Sequence, residues 1–122
     1  MKEQIPAIQI PVPEDFGDAY DGTEGRQWVQ RRQRVGGTGL KQIEKLSEKI
    51  SDDKMFKVIC DVLSEMYLDW NLESDEGPLP KPYKNRKAFE ALFESDFSLF
   101  MWVGTLPFYR VSTLTEMLQE KN

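Results

Sequence analysis

The sequence predicts a mainly α fold, a small helical bundle that carries an extended N-terminal arm and a short β-hairpin or edge strand. Three observations predict it. Successive stretches after residue 37 place apolar side chains at helical spacing. The first 25 residues hold Pro6, Pro11, Pro13, Gly17, Gly22 and Gly25 and show little helical period. At 122 residues the chain suits one domain, large enough to bury roughly two-thirds of the surface its unfolded form exposes. The expected division is an arm over 1–25 and a single mainly helical domain over 26–122.

Within the arm, proline denies a backbone donor at three places, so Ile8 to Val12 can be at most an edge strand. Gln27 to Gln33 is the better strand candidate, and Val35, Gly36 and Gly37 mark a turn. Thr38 is placed to cap a helix to about Ile50, with Leu40, Ile43, Leu46 and Ile50 on one side. Ser51 is placed to cap the next helix, with Asp52 and Asp53 at the positive end of its dipole. That helix carries the clearest pattern in the chain: Met55, Val58, Ile59, Val62, Leu63, Met66 and Trp70 follow i, i+3, i+4, i+7 spacing with charged residues opposite. It is the expected core helix. Asn85 and Ser95 are placed to cap two further helices, the second apolar on nearly every side. Pro107 must stop or kink that helix, which leaves a last segment with Val111, Leu114, Met117 and Leu118 on one face.

The composition excludes several chemistries. The chain has no histidine, which removes the usual proton shuttle and the commonest metal ligand. The single cysteine, Cys60, permits no intrachain disulfide, and its apolar neighbours read as a buried thiol in a reducing compartment. There is no signal-peptide pattern and no apolar run long enough to span a bilayer, so a cytosolic protein is expected.

Three stretches resemble sites and fall short. In YLDWNLESDEGPLPKPY the oxygen-bearing Asp69, Asn71, Glu73 and Asp75 recur at the spacing that opens a calcium loop. The sixth and twelfth positions of such a loop, a glycine and a bidentate glutamate, are here Ser74 and Pro80. GGTGLK lacks the GxxxxGK[ST] spacing of a phosphate loop. The run GRQWVQRR, with Arg26, Arg31, Arg32 and Arg34 around Trp28, could stack single-stranded nucleic acid, but the plainer reading is a strand whose arginines meet acidic partners in the fold. Neither Asp52 with Asp53 nor Glu73 with Glu76 has a nucleophile or oxyanion device beside it. No catalytic, cofactor-binding or metal-binding residue is assigned, no cofactor is expected, and the chain is read as no enzyme.

Charge alternates along the chain. Residues 1–25 hold 1 basic and 6 acidic side chains, 26–49 hold 7 and 2, 50–80 hold 2 and 8, and 81–122 hold 6 and 5, for a net charge of -5. Such blocks favour pairing within the fold or between copies over an overall basic nucleic-acid surface. The outlying feature is FSLFMWVGTLPFY, Phe97 to Tyr109, which holds more large apolar side chains than one buried helix face accommodates. Either it fills the centre of the core or part of it is a partner surface.

The proline-punctuated arm, the WVQRR strand, the turn and helix GTGLKQIEKL, and the amphipathic helix ending in DWNLESDEGPLPKP together resemble the small tail assembly chaperone proteins of long-tailed (siphovirus-type) bacteriophages. The turn Asp75, Glu76, Gly77, Pro78, Leu79, Pro80 is one residue tighter than the D-E-G-x-P-L-P-like form of that family. The resemblance covers roughly residues 5 to 105 and implies a non-enzymatic factor in the host cytoplasm. Such a factor binds the helical tape measure protein, and in its neighbourhood the tail tube protein, during tail morphogenesis; self-association is left open, and membrane and nucleic-acid partners are not expected. Apolarity singles out Phe97, Phe100, Met101, Trp102, Phe108 and Tyr109 as protein-binding residues, with Trp70 as a core anchor that orients the loop. The alternatives are a virion structural subunit of the neck or tail-completion kind and a small phage-encoded regulator that binds nucleic acid through Trp28 and its arginines.

Overall fold

The computed structural model describes residues 5–22 and 25–119. Its main sheet is antiparallel, with β1 (Ala7–Pro11) on one edge, β4 (Trp28–Arg32) in the centre and β5 (Tyr67–Trp70) on the other edge. Two short ribbons accompany it, β2 (Asp21–Gly22) with β3 (Gly25–Arg26) and β6 (Glu73–Ser74) with β7 (Gly77–Pro78). The helices are α1 (Gly37–Leu46), α2 (Asp53–Met66), α3 (Arg86–Ser95), α4 (Phe97–Thr105) and α5 (Val111–Gln119).

The expected mainly α class with a minor β component is therefore corrected. Among the described residues the architecture is α+β, five helices and three small sheets, with strands making up 19%. The largest single cause is β5. Met66 ends α2, and Tyr67 already has an extended backbone (φ -106, ψ 136). In the β4–β5 ladder Trp70 faces Val29, Asp69 faces Gln30, and Tyr67 faces Arg31, so Leu68 is an extra residue, a β-bulge. Strand residues three apart normally point to opposite faces. The bulge turns Tyr67 and Trp70 to the same buried face, and their i, i+3 spacing continues the period of α2 in a strand.

The strand in the arm lies at the sheet edge, as its prolines require, one residue earlier than the expected Ile8 to Val12. Ala7–Pro11 pairs with Trp28–Arg32 over five positions, and Ile10 and Val12 enter the core with Val29. Ala7–Pro11 of the arm thus belongs to the sheet. The arm then makes two short 3-10 turns, Glu14–Phe16 and Asp18–Tyr20, and is tied down by Arg26, whose guanidinium donates to the carbonyls of Val12, Pro13 and Gly17 and pairs with Asp21.

Three expected caps lie one or two residues from the observed ones. Gly36, not Thr38, precedes α1, and no side chain caps it. Asp52, not Ser51, caps α2 by accepting from the amides of Lys54 and Met55. Asp96, not Ser95, caps α4 through the amide of Leu99, and its other carboxylate oxygen accepts from Tyr20 of the arm. Asn85 stands at the cap of α3 but directs its side-chain amide to the carbonyl of Lys81. A carboxylate is the stronger acceptor for amides at the positive end of a helix, which explains the preference for aspartate over the neighbouring serines.

The candidate calcium loop is a hairpin. Leu72 and Leu79 are joined by a backbone hydrogen bond, β6 and β7 follow, and Asp75 and Glu76 form the tip before Gly77, whose φ of 122° disfavours any side chain. Two of its four oxygen-bearing side chains are committed elsewhere: Asp69 pairs with Lys81 at 3.0 Å, and Asn71 Oδ1 accepts from the amide of Trp28 at 2.7 Å. Trp70, wholly buried, donates its indole N–H to the carbonyl of Pro80 at 2.9 Å and packs edge-on against Phe89. The hairpin is thereby anchored to the core.

A candidate protein-binding groove

The apolar segment Phe97–Tyr109 is positioned by two polar side chains on the buried face of the sheet. In an unbroken helix the carbonyl of Val103 would accept from the amide four residues on, but that residue is Pro107, which has no N–H. Tyr67 Oη donates to it instead. Arg31, only 1% exposed, donates to the carbonyls of Leu106 and Tyr109 at 2.7 and 2.8 Å and to those of Arg32 and Gln33 at the end of its own strand and just beyond it. Burial lowers the Arg31 pKa from its ordinary value, and burial raises that of Tyr67. The guanidinium sits at the C-terminal end of α4 and of the following 3-10 turn Leu106–Phe108, the negative end of the local dipole. The helix therefore stops, turns and restarts as α5 under the control of Arg31 and Tyr67.

Fixed in this way, α4 stands on one side of α2 and α1 on the other. Near its start α1 meets α2 closely: a Cβ on Gly39 would come within 2.8 Å of the Met66 methyl. Farther along, the space between α1 and α4 is a groove of about 230 Å³. Ile59 and Leu63 of α2 and Phe100 form its depth, Ile43 and Ile50 one wall, and Met101, Gly104 and Phe108 the other. Apart from its chain neighbours and its own helix backbone, nothing lies within 4 Å of the place a Gly104 Cβ would occupy.

The six apolar residues singled out in the sequence fall into four places. Phe100 (3% exposed), Met101 (46%) and Phe108 (45%) share the groove. Trp102 is half-buried beneath Phe16 of the arm, ring centroids 6.1 Å apart, and so faces away from it. Phe97 is exposed and edge-on to Phe93, one ring of a cluster that includes Phe56 and Phe100. Tyr109 is exposed in an adjoining open cleft, where Phe108, Leu40 and Val35 also lie. Ile43, Ile50 and Gly104 were not anticipated as groove residues. The isoleucines repeat at helical spacing and read as core, whereas a glycine inside an otherwise bulky apolar helix was a signal of open space.

No protein-family model matches the chain, and no curated protein or solved structure matches it. No helix among the described residues is long and apolar enough to cross a membrane.

Cys60 lies outside the groove, on α2, fully buried; burial first, then the nearby Glu90 and Asp61 carboxylates, push its thiol up to about 12 from an ordinary 9.0. The thiolate is the nucleophile, so Cys60 is inert at neutral pH. The stability consequence has a definite sign. Between about pH 9 and about 12 the native state keeps a proton that the unfolded state has released, so stability present below pH 9 is lost as pH rises, by about 1.4 kcal/mol per pH unit for each such group. Tyr67 acts in the same direction from its ordinary 10.0 upward. Urea unfolding at stepped alkaline pH should show this decline, with a shallower slope in Cys60→Ala; equal slopes in both proteins would refute the assignment to Cys60.

Proposed function

We propose that this chain is a non-enzymatic assembly factor of the phage tail assembly chaperone kind, acting in the host cytoplasm, and that its groove between α1 and α4 receives an amphipathic helical segment of the tape measure protein. The observation that carries the reading is the groove itself, apolar in depth and rimmed by the exposed Met101 and Phe108. Apolar grooves of this shape suit the apolar face of a helix. Methionine and aromatic side chains on the rim adapt to many similar segments, as coating a long helical protein requires. The resemblance of the WVQRR strand and the Asp75–Pro80 turn to that family supplies the identity of the partner.

The alternatives draw less support. Arg26 and Arg31 spend their guanidinium groups on backbone carbonyls, and Arg32 is engaged by the carbonyl of Glu65 and the Tyr83 hydroxyl. Little of the GRQWVQRR run is left for phosphate. The acidic arm that would reach a neighbouring copy in a virion ring is tied to its own chain through Asp21 and Tyr20.

Co-expression with a tape measure protein should raise that protein's soluble fraction, and the two should copurify. Gly104→Phe, which places a ring in the open groove, should fold normally and weaken copurification by about tenfold or more, the effect of losing about 1.4 kcal/mol of binding. If the parent chain neither solubilises nor retains its partner, the reading fails; if folded Gly104→Phe still copurifies in full, the groove is the wrong surface.

A further inference from the structure

The groove does not end at Phe108. That ring also borders the open cleft of about 620 Å³ that holds Tyr109, Leu40 and Val35, so the two concavities form one surface. Its chemistry changes along the way. The cleft end is lined by Arg34 and Arg110 and by no acidic side chain. Neither arginine forms an ion pair among the described residues, although the chain carries 21 acidic side chains. Arg110 also breaks a local rule. Its carbonyl accepts from the amide of Leu114, which makes it the residue that opens α5, and α5 has no acidic side chain in its first turn. A cation at the positive end of a helix dipole is unfavourable where an anion would be stabilising. Departures of this kind, without a compensating contact in the chain itself, are expected at functional sites.

We propose that the segment received by this surface is an amphipathic helix with acidic side chains beside its apolar face: the apolar residues enter between Ile43 and Met101, and the carboxylates meet Arg34 and Arg110 at the Phe108–Tyr109 end. This rests on the groove being a protein-binding site and adds the charge of the partner. A polyanionic nucleic acid fits less well, since it has no apolar helix face to place in the groove between Ile43 and Met101. Opposite potentials across such a contact orient the partner and exclude helices of the wrong charge.

The test uses two synthetic helical peptides of about 18 residues, or five turns, with one leucine face in common and either glutamate or lysine flanking it, together with a single-stranded DNA oligonucleotide. Fluorescence anisotropy with the full chain at low salt should show the glutamate peptide binding about tenfold tighter than the lysine peptide. The preference should shrink in high salt and reverse in R34E/R110E, whereas Gly104→Phe should abolish binding of both. Glutamate at residue 110 suits the start of α5, so the doubly reversed chain is expected to fold; its circular dichroism and thermal midpoint verify this. Equal binding of both peptides overturns the charge inference and leaves the groove reading intact. Binding of neither peptide overturns both. Binding of the oligonucleotide alone, unaffected by Gly104→Phe, assigns the arginines to nucleic acid and also overturns the proposal.

Discussion

Trp70→Ala is expected to lower stability by about 3–5 kcal/mol, the range for removing a large buried aromatic side chain. Trp70 has no exposed surface, its ring packs edge-on to Phe89 at 5.0 Å, and its indole N–H holds the carbonyl of Pro80. The deletion therefore opens a cavity beneath the sheet and frees the hairpin at once. A domain of this size has only about 5–15 kcal/mol in total, so a thermal midpoint lower by roughly 10–20 °C should follow. Trp70→Phe separates the two contributions: it keeps most of the packing and removes the hydrogen bond to Pro80, so the hairpin amides should exchange faster while the global loss is smaller. A Trp70→Ala chain that unfolds in urea at the same midpoint as the parent would show that Trp70 is not the anchor of this fold.

The second large effect is expected at Arg31. Arg31→Met fills similar volume but leaves the carbonyls of Leu106, Tyr109, Arg32 and Gln33 without their guanidinium donor. Each buried acceptor left without a partner costs about 1–3 kcal/mol. Leu106 retains the amide of Tyr109, and the methionine itself is easily buried, so the net loss should be about 2–4 kcal/mol, less than the sum of four acceptors. The distinctive consequence is local. Hydrogen exchange should rise at Leu106 to Leu114, and affinity for a groove ligand should fall because Phe108 loses its fixed position. Tyr67→Phe is the milder companion, removing only the donor to Val103, with an expected loss of about 1–3 kcal/mol. An Arg31→Met protein as stable as the parent, with unchanged exchange in that segment, would remove Arg31 from the account of how the groove is held.

These two sites also show where the sequence is legible. The apolar stripe of α2, the edge strand in the arm, the break at Pro107 and the buried thiol all follow from patterns within a few residues, because periodicity, a missing N–H and apolar neighbours act locally. A charge-rich strand of the WVQRR kind is visible too, but its partners are not. From the sequence Arg31 reads as an arginine that meets an acidic partner in the fold, whereas its acceptors beneath α4 are backbone carbonyls 75 and 78 residues away.

Residue order alone specified the helical periods, the position of the proline break, the lack of histidine chemistry and the unusual greasiness of Phe97 to Tyr109. Three-dimensional packing settled the rest: that Tyr67–Trp70 is a bulged strand, that Phe100 is buried while Met101 and Phe108 reach solvent, and that α1 and α4 leave a groove between them. The reason is the range of the forces involved. Helical tendency and amide supply are properties of neighbours in the chain, whereas the face a bulge exposes and the gap two helices leave depend on surfaces that meet only after the chain has folded.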